Sequence, residues 1–420
     1  MGQLAAAVQA VPFIGVLLSF AIMPGLAPRI WHRRMGGVIG FWVGLRLAFD
    51  AQQGIGAALR DLWQASFLEF LPFMALLLAL YALGGGISMR GGPWGRPAGN
   101  ALLLVFGTIA ASLMGTIGAS LLLIHPLLAA NGHRHEKRHL VLAFIILVGN
   151  AGGALSPLGD PPLLVGYLHG VPFTWPLRHL WAPLLVMAAP VLALCTAADS
   201  YLARREARPK RRKFAVRGAL NIALLLVLMA AIPAEALAPA GAVDILGARM
   251  PVGHLAVTGL AMLFILVSER YTPKSIRAHN RFAWSAMREI TLLFFAIFAT
   301  IAPAFVLLQQ ARLAPDPLLW FWASGIASAI LDAAPAYLVF FQAAGGNGPD
   351  LAGGPARLLT ALAAGSIFFG PVTYLGNAPN LMVREIAARR GVRMPGFFVY
   401  AGVMILLLAP LYLVMGFLFF

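Results

Sequence analysis

Apolar residues run along this chain in long blocks, without the alternation of a half-buried strand or the one-sided stripe of a surface helix. A helix that crosses a bilayer needs about 20 mostly apolar residues. Blocks of that length lie at roughly 8–26, 35–52, 67–89, 140–169, 180–200, 218–236, 253–268, 289–309, 357–383 and 397–419. Short alternating strands of the barrel kind are missing, so the pattern predicts an all-α integral membrane protein. Two further apolar segments, at about 101–129 and 317–342, are interrupted midway by GTIGAS (115–120) and LDAAPA (331–336). The blocks at 140–169 and 357–391 are interrupted by GALSPLGDPP and TYLGNAPN. Glycine there frees the backbone to turn, and proline removes a backbone donor, so each interruption predicts a broken helix.

The polar stretches between the blocks are basic. They are PRIWHRR (28–34), MRGGPWGR (89–96), HRHEKRH (133–139), the linker 201–217, the loop 270–281 with Arg288, and REIAARRGVR (384–393), holding 25 of the 31 Lys and Arg. Lysine and arginine of short loops collect on the cytoplasmic side. All six loops can share that side only if segments 101–129 and 317–342 enter and return on the same face. Charge therefore predicts two re-entrant hairpins, and the glycine, proline and aspartate interruptions mark their tips. Such hairpins are tolerated at membrane depth where protein or a water-filled cavity surrounds them. On this reading both termini lie on the non-cytoplasmic side. The first charged residue, Arg29, follows the first apolar run rather than preceding it, so that run reads as a retained span and not as a signal peptide.

Composition narrows the class. The chain is 60% hydrophobic and 11% charged, with mean hydropathy +0.83, too little polar surface for a soluble globule. The net charge of +16 sits in the loops, which makes it a positive-inside signal near anionic lipid and not a nucleic-acid surface. A lone cysteine, Cys195, excludes an intramolecular disulfide. The common hydrolase, zinc and P-loop motifs are missing, so an enzyme reading would have to rest on Asp160 and Asp332 acting as a dyad. A chain that is nearly all membrane usually moves something across it.

The halves repeat at an offset of 217 residues. Gly115 matches Asp332, Ser156 matches Thr373, Gly159 matches Gly376, and Asp160 matches Asn377. About five crossings and one hairpin in each half make the repeat inverted, residues 1–200 against 218–420 joined by the linker 201–217. Inverted repeats with discontinuous helices bind their cargo where the half-helices end. Asp160 is therefore the leading candidate, since a carboxylate at membrane depth is costly unless paired, protonated or ligated. Asp160 and Asp332 are candidate Na⁺ ligands, with Ser156, Thr373 and Asn377 completing an oxygen-rich shell. Glu69 and Glu289 are candidates for a proton path, or equally for helix N-terminal charges. His125 and His169 read more simply as satisfied polar groups near helix ends than as proton relays.

The segments GTIGASLLLIHPLL, GNAGGALSPLGDPPLL, LDAAPAYLVFF and YLGNAPNLM resemble the signature segments of the ion transporter superfamily. Within it the chain is most similar to the group described as citrate transporters or sodium/proton antiporters. The resemblance implies a homodimer with a scaffold and a mobile transport domain that works as an elevator. It also implies ion and substrate sites at the tips and breaks, here Thr116, Ser120, Asn150, Ser156, Gly159, Asp160, Asp332, Thr373, Gly376, Asn377 and Asn380. One departure stands out. A tip resembling LDNAPTY is expected, whereas this chain has LDAAPAY, so Ala333 and Ala336 offer no side-chain oxygen. Two acids and no buried base favour a cation, giving a sodium/proton antiporter as the expected function. A sodium- or proton-coupled citrate or dicarboxylate carrier is the alternative. No cofactor is expected beyond Na⁺ as transported or coupling ion.

Overall fold

The structure is a computed structural model and describes residues 3–26, 28–92, 94–204, 212–235, 241–310, 315–354 and 356–420. Helices dominate it. Ile55–Gly85, Pro97–Met114, Arg138–Leu155, Trp175–Ala203, Val252–Tyr271 and Phe397–Phe419 are long and apolar enough to cross a membrane among the described residues. The outer surface is apolar: on Phe397–Phe419, Phe398, Leu406 and Phe417 are more than four-fifths exposed. A soluble protein does not leave so many large side chains uncovered, whereas lipid tails accommodate them. The chain is a multi-pass membrane protein.

Two helical hairpins form at the interrupted segments. The first pairs Pro97–Met114 with Thr116–Ala130 about Gly115, and the second pairs Pro317–Leu331 with Ala333–Ala343 about Asp332. The ends of the first hairpin lie side by side, because Asn100 and Asn131 exchange side-chain hydrogen bonds of 2.9 and 2.8 Å. In the second, Trp320 near the start meets Phe340 near the end with ring centroids 5.7 Å apart. Between and after the hairpins lie the two broken helices. Arg138–Leu147 gives way to a 3₁₀ turn, Ala151–Leu155, and resumes as Pro161–Leu168. Ala356–Phe368 gives way to Gly370–Val372 and resumes as Ala378–Arg389.

Some expected spans differ. The block read as 67–89 starts earlier, at Ile55, passes through a π-helical turn Ala65–Phe70, and ends at Gly85. Three successive glycines, 84–86, end it, and Ser88–Gly92 becomes a strand. That strand pairs antiparallel with Arg212–Arg217, so the end of the basic linker is built into the fold; its residues 205–211 lie outside the described residues. The block 289–309 is two helices, Trp284–Thr300 and Ala302–Gln310, divided at Ile301 just before an Ala-Pro step. A second ribbon pairs Ala242–Ile245 with Ala248–Pro251.

The basic loop 133–139 holds a buried cluster that sequence reasoning missed. Arg134 and His139 both meet the carboxylate of Asp199, which also accepts from Asn100 at 2.9 Å. Arg134 donates in addition to the Gly95 carbonyl at 2.8 Å. Removing one partner of such a pair strands a buried charge and costs about 3–5 kcal/mol, so the cluster clamps the open end of the first hairpin onto Trp175–Ala203.

Candidate functional site

Four helices begin at one place. Thr116–Ala130 and Ala333–Ala343 start at the hairpin tips, and Pro161–Leu168 and Ala378–Arg389 start at the breaks. Backbone hydrogen bonds join tip to break within each half: Thr116 N–H donates to Gly159 O at 2.9 Å, and Ala333 N–H donates to Gly376 O at 3.2 Å. The 217-residue offset recurs in the side chains. Ser156 Oγ donates to Ser112 O and accepts from Leu158 N, and Thr373 Oγ1 donates to Ala329 O at 2.6 Å and accepts from Leu375 N. Ser156 and Thr373 therefore pin their breaks against the first arms of their hairpins.

Glycine is required where each break crosses itself. A Cβ on Gly159 would collide with the carbonyl oxygen of Gly153, and one on Gly376 would stand 2.5 Å from that of Gly370. The tips share a conformation as well: φ 81°, ψ 148° at Gly115 and φ 100°, ψ 147° at Asp332. An aspartate holds at Asp332 a backbone region that is nearly reserved for glycine, at a cost of about 1–3 kcal/mol. Its carboxylate caps the helix it opens, accepting from Ala334 N–H at 3.4 Å.

Asp160 is buried between the halves. Its Oδ1 accepts from Thr116 Oγ1 at 3.1 Å and from Asn377 Nδ2 at 3.1 Å. Asn377 also reaches Gly149 O at 3.3 Å, so the residue that replaces Asp160 in the second half spans the first break. Asn150 and Asn380 form the other bridge. Asn150 Nδ2 donates to Asn380 Oδ1 at 2.7 Å and to Ile145 O at 2.8 Å, while Asn380 Nδ2 donates to Gly370 O and Thr373 O, both at 2.9 Å. Two acceptors are left over: Asp160 Oδ2 and Asn150 Oδ1 are buried and have no hydrogen-bond donor. Beside Asp160, a cavity of about 20 Å³ is lined by Thr116, Gly159, Met114 and Leu80 among others. That is room for one water-sized occupant.

The remaining candidates fall outside this centre. Ser120 is buried one turn beyond Thr116, and its hydroxyl has no partner. Glu69 lies in the π-helical turn and lines a separate cavity of about 280 Å³ with His169, Arg249 and His254. Glu289 is exposed on Trp284–Thr300 and stands three residues out of the 217-residue register with Glu69. His169 accepts Gly348 N–H on its carbonyl at 3.1 Å and stacks edge-on with Phe341 at 5.5 Å.

The four helices pack as two pairs. Thr116–Ala130 packs on Ala378–Arg389, and their far ends share one cavity through His125 and Arg390. Pro161–Leu168 packs on Ala333–Ala343, and both lead to His169 and Phe341. Each pair takes one helix from each half.

A protein family described as "Putative citrate transport" matches residues 2–420, and the chain belongs to that family. No curated protein matches it.

Proposed function

We propose that this member of a transport family is a secondary transporter that carries Na⁺ or H⁺ on Asp160 and exchanges one for the other. The observation that carries this reading is the kind of polar capacity left unused. The amides of Asn150, Asn377 and Asn380 and the hydroxyl of Thr116 are already committed to protein acceptors, whereas Asp160 Oδ2 and Asn150 Oδ1 lack donors. Buried oxygens without donors suit a cation or a proton, because hard cations take oxygen ligands and a lone acceptor is costly. A bound sodium ion stabilises the carboxylate that a proton would neutralise, so one site holds either but not both. That exclusion couples the two fluxes.

The helix pairing supports an inverted repeat, with basic loops cytoplasmic and both hairpins re-entrant. Tips and breaks are tied into one hydrogen-bonded block, which supports their moving together against the other helices as an elevator. A homodimer and an inner-membrane location complete the proposal.

One observation favours a second reading. The N-termini of four helices converge near Asp160, and such ends attract anions. With the family's description, that supports sodium- or proton-coupled carriage of citrate. Proteoliposomes holding a pH-sensitive dye separate the two. Proton movement on adding NaCl alone is the expected result; no response to sodium alone, with sodium-dependent uptake of labelled citrate, would replace exchange by carboxylate carriage.

A further inference from the structure

Basic side chains gather at a second place, away from Asp160. A cavity of about 760 Å³ is lined by Arg90, His125, His133, Lys213, His279 and Arg390, together with small, apolar and aromatic residues and, among the described residues, no acidic one. Five of the six basic loops, well separated along the chain, each contribute a residue to it. Loop charge that served only as a positive-inside anchor would need no common focus. Nine residues of helix separate Thr116 at the ion site from His125 at the cavity, about 14 Å at 1.5 Å per residue. The cavity is a distinct place.

We propose that this cavity binds a small multivalent oxyanion, a polycarboxylate or a phosphate, at the face where the basic loops gather. Among the described residues no ion pair neutralises Arg90, Lys213 or Arg390. Two guanidinium forks and an ammonium match carboxylate and phosphate oxygens, and the volume falls within the roughly 300–1,000 Å³ of small-molecule sites. His125 supplies a second, independent observation. It is 1% exposed, its Nε2 faces Asn280 O at 3.3 Å, and its Nδ1 has no partner. With Nε2–H donating to that carbonyl, Nδ1 accepts in the neutral ring and donates in the charged one. The ring can therefore take a ligand's hydroxyl when neutral and its anionic oxygen when protonated. Nearby, burial and, after it, the Arg90 and Arg390 charges push His279 below the ordinary imidazole value, so the two guanidiniums lie close enough to that ring to act on it.

The pocket stands independently of the ion assigned to Asp160. Calorimetric titration of the full chain in neutral detergent at low salt, with citrate and separately with pyrophosphate, tests it. The wild type is expected to bind at least one of the two, and Arg90→Gln/Lys213→Gln/Arg390→Gln is expected to bind it at least about tenfold more weakly, three exposed charge contacts being lost together. All three side chains are exposed, so the variant should keep its elution profile and helicity. Arg390→Gln alone should weaken binding about threefold, the size of one exposed pair. Asp160→Asn should bind the anion as the wild type does, even where it has lost sodium-driven proton movement, which separates failure here from failure of the exchange reading. Equal affinity in the triple variant, or no binding of either free anion, would overturn the proposal. Binding confined to added phosphatidylglycerol would overturn it in favour of a lipid headgroup.

Discussion

The two broken helices keep the same backbone and carry different side chains. In both, a hydroxyl residue pins the break to its hairpin, a glycine pair crosses at close range, and a tip N–H donates to a break carbonyl. At the matching positions the first half has Gly115, Thr116 and Asp160, and the second has Asp332, Ala333 and Asn377. The carboxylate has thus moved from break to tip, and the tip hydroxyl is gone. Scaffold geometry is shared because both halves must interrupt a helix in an apolar setting without stranding polar groups. Chemistry is under no such symmetry. In the first half Asp160 meets a hydroxyl and an amide while keeping one oxygen free, whereas Asp332 binds its own helix N-terminus. On the proposed reading the first break is the ion ligand, and the second break, through Asn377, lends Asp160 a hydrogen-bond partner.

The largest effect that could break this asymmetry comes from Asp160→Asn. It keeps the shape and removes the switchable charge, so sodium-driven proton movement in proteoliposomes is expected to fall to background while membrane insertion is retained. Gly159→Ala comes next, since its Cβ meets the Gly153 carbonyl; thermal unfolding in detergent should show a loss of at least about 1–3 kcal/mol, with activity lost alongside. Thr116→Val removes one hydrogen bond to a charged group, worth about 1.5–3 kcal/mol, and should raise the sodium concentration for half-maximal exchange by about tenfold or more. The matching change in the other half, Ala333→Thr, should alter that concentration much less. Smallest is Asp332→Gly, which relieves the strained tip: melting should rise modestly, by the order of 1–3 kcal/mol less the lost cap, while sodium dependence shifts only slightly. A large loss of sodium affinity there would make the second tip an equal partner.

Much of this arrangement was legible from residue order. The tips at Gly115 and Asp332 and the breaks before Pro161 and Ala378 stand out because glycine, proline and a lone acid interrupt apolar runs. The offset of 217 was visible in five or six residues, and it recurs in the hydrogen bonds. What could not be read depends on pairings across long sequence distances. Nothing local in 88–92 announces that it pairs with 212–217, and nothing in Asp199 announces Arg134 and His139. Five basic loops looked alike as solvated charge; only packing brings Arg90, Lys213 and Arg390 to one cavity. The exposure of Glu289 was not legible for a related reason, because a carboxylate opening an apolar block has the same local signal whether it faces the protein or the outside. The roles of Asn150 and Asn380 were suggested by family resemblance, whereas their bridge between the halves is a fact of tertiary packing.

Sodium binding to the purified protein tests the central claim most directly. Calorimetric titration with NaCl, against choline chloride as control, should give saturable binding to the wild type that weakens as pH falls, since protons compete for the same carboxylate. Asp160→Asn should show none. Saturable sodium binding that survives in Asp160→Asn, or that is indifferent to pH, would contradict the assignment of the ion to the joined breaks.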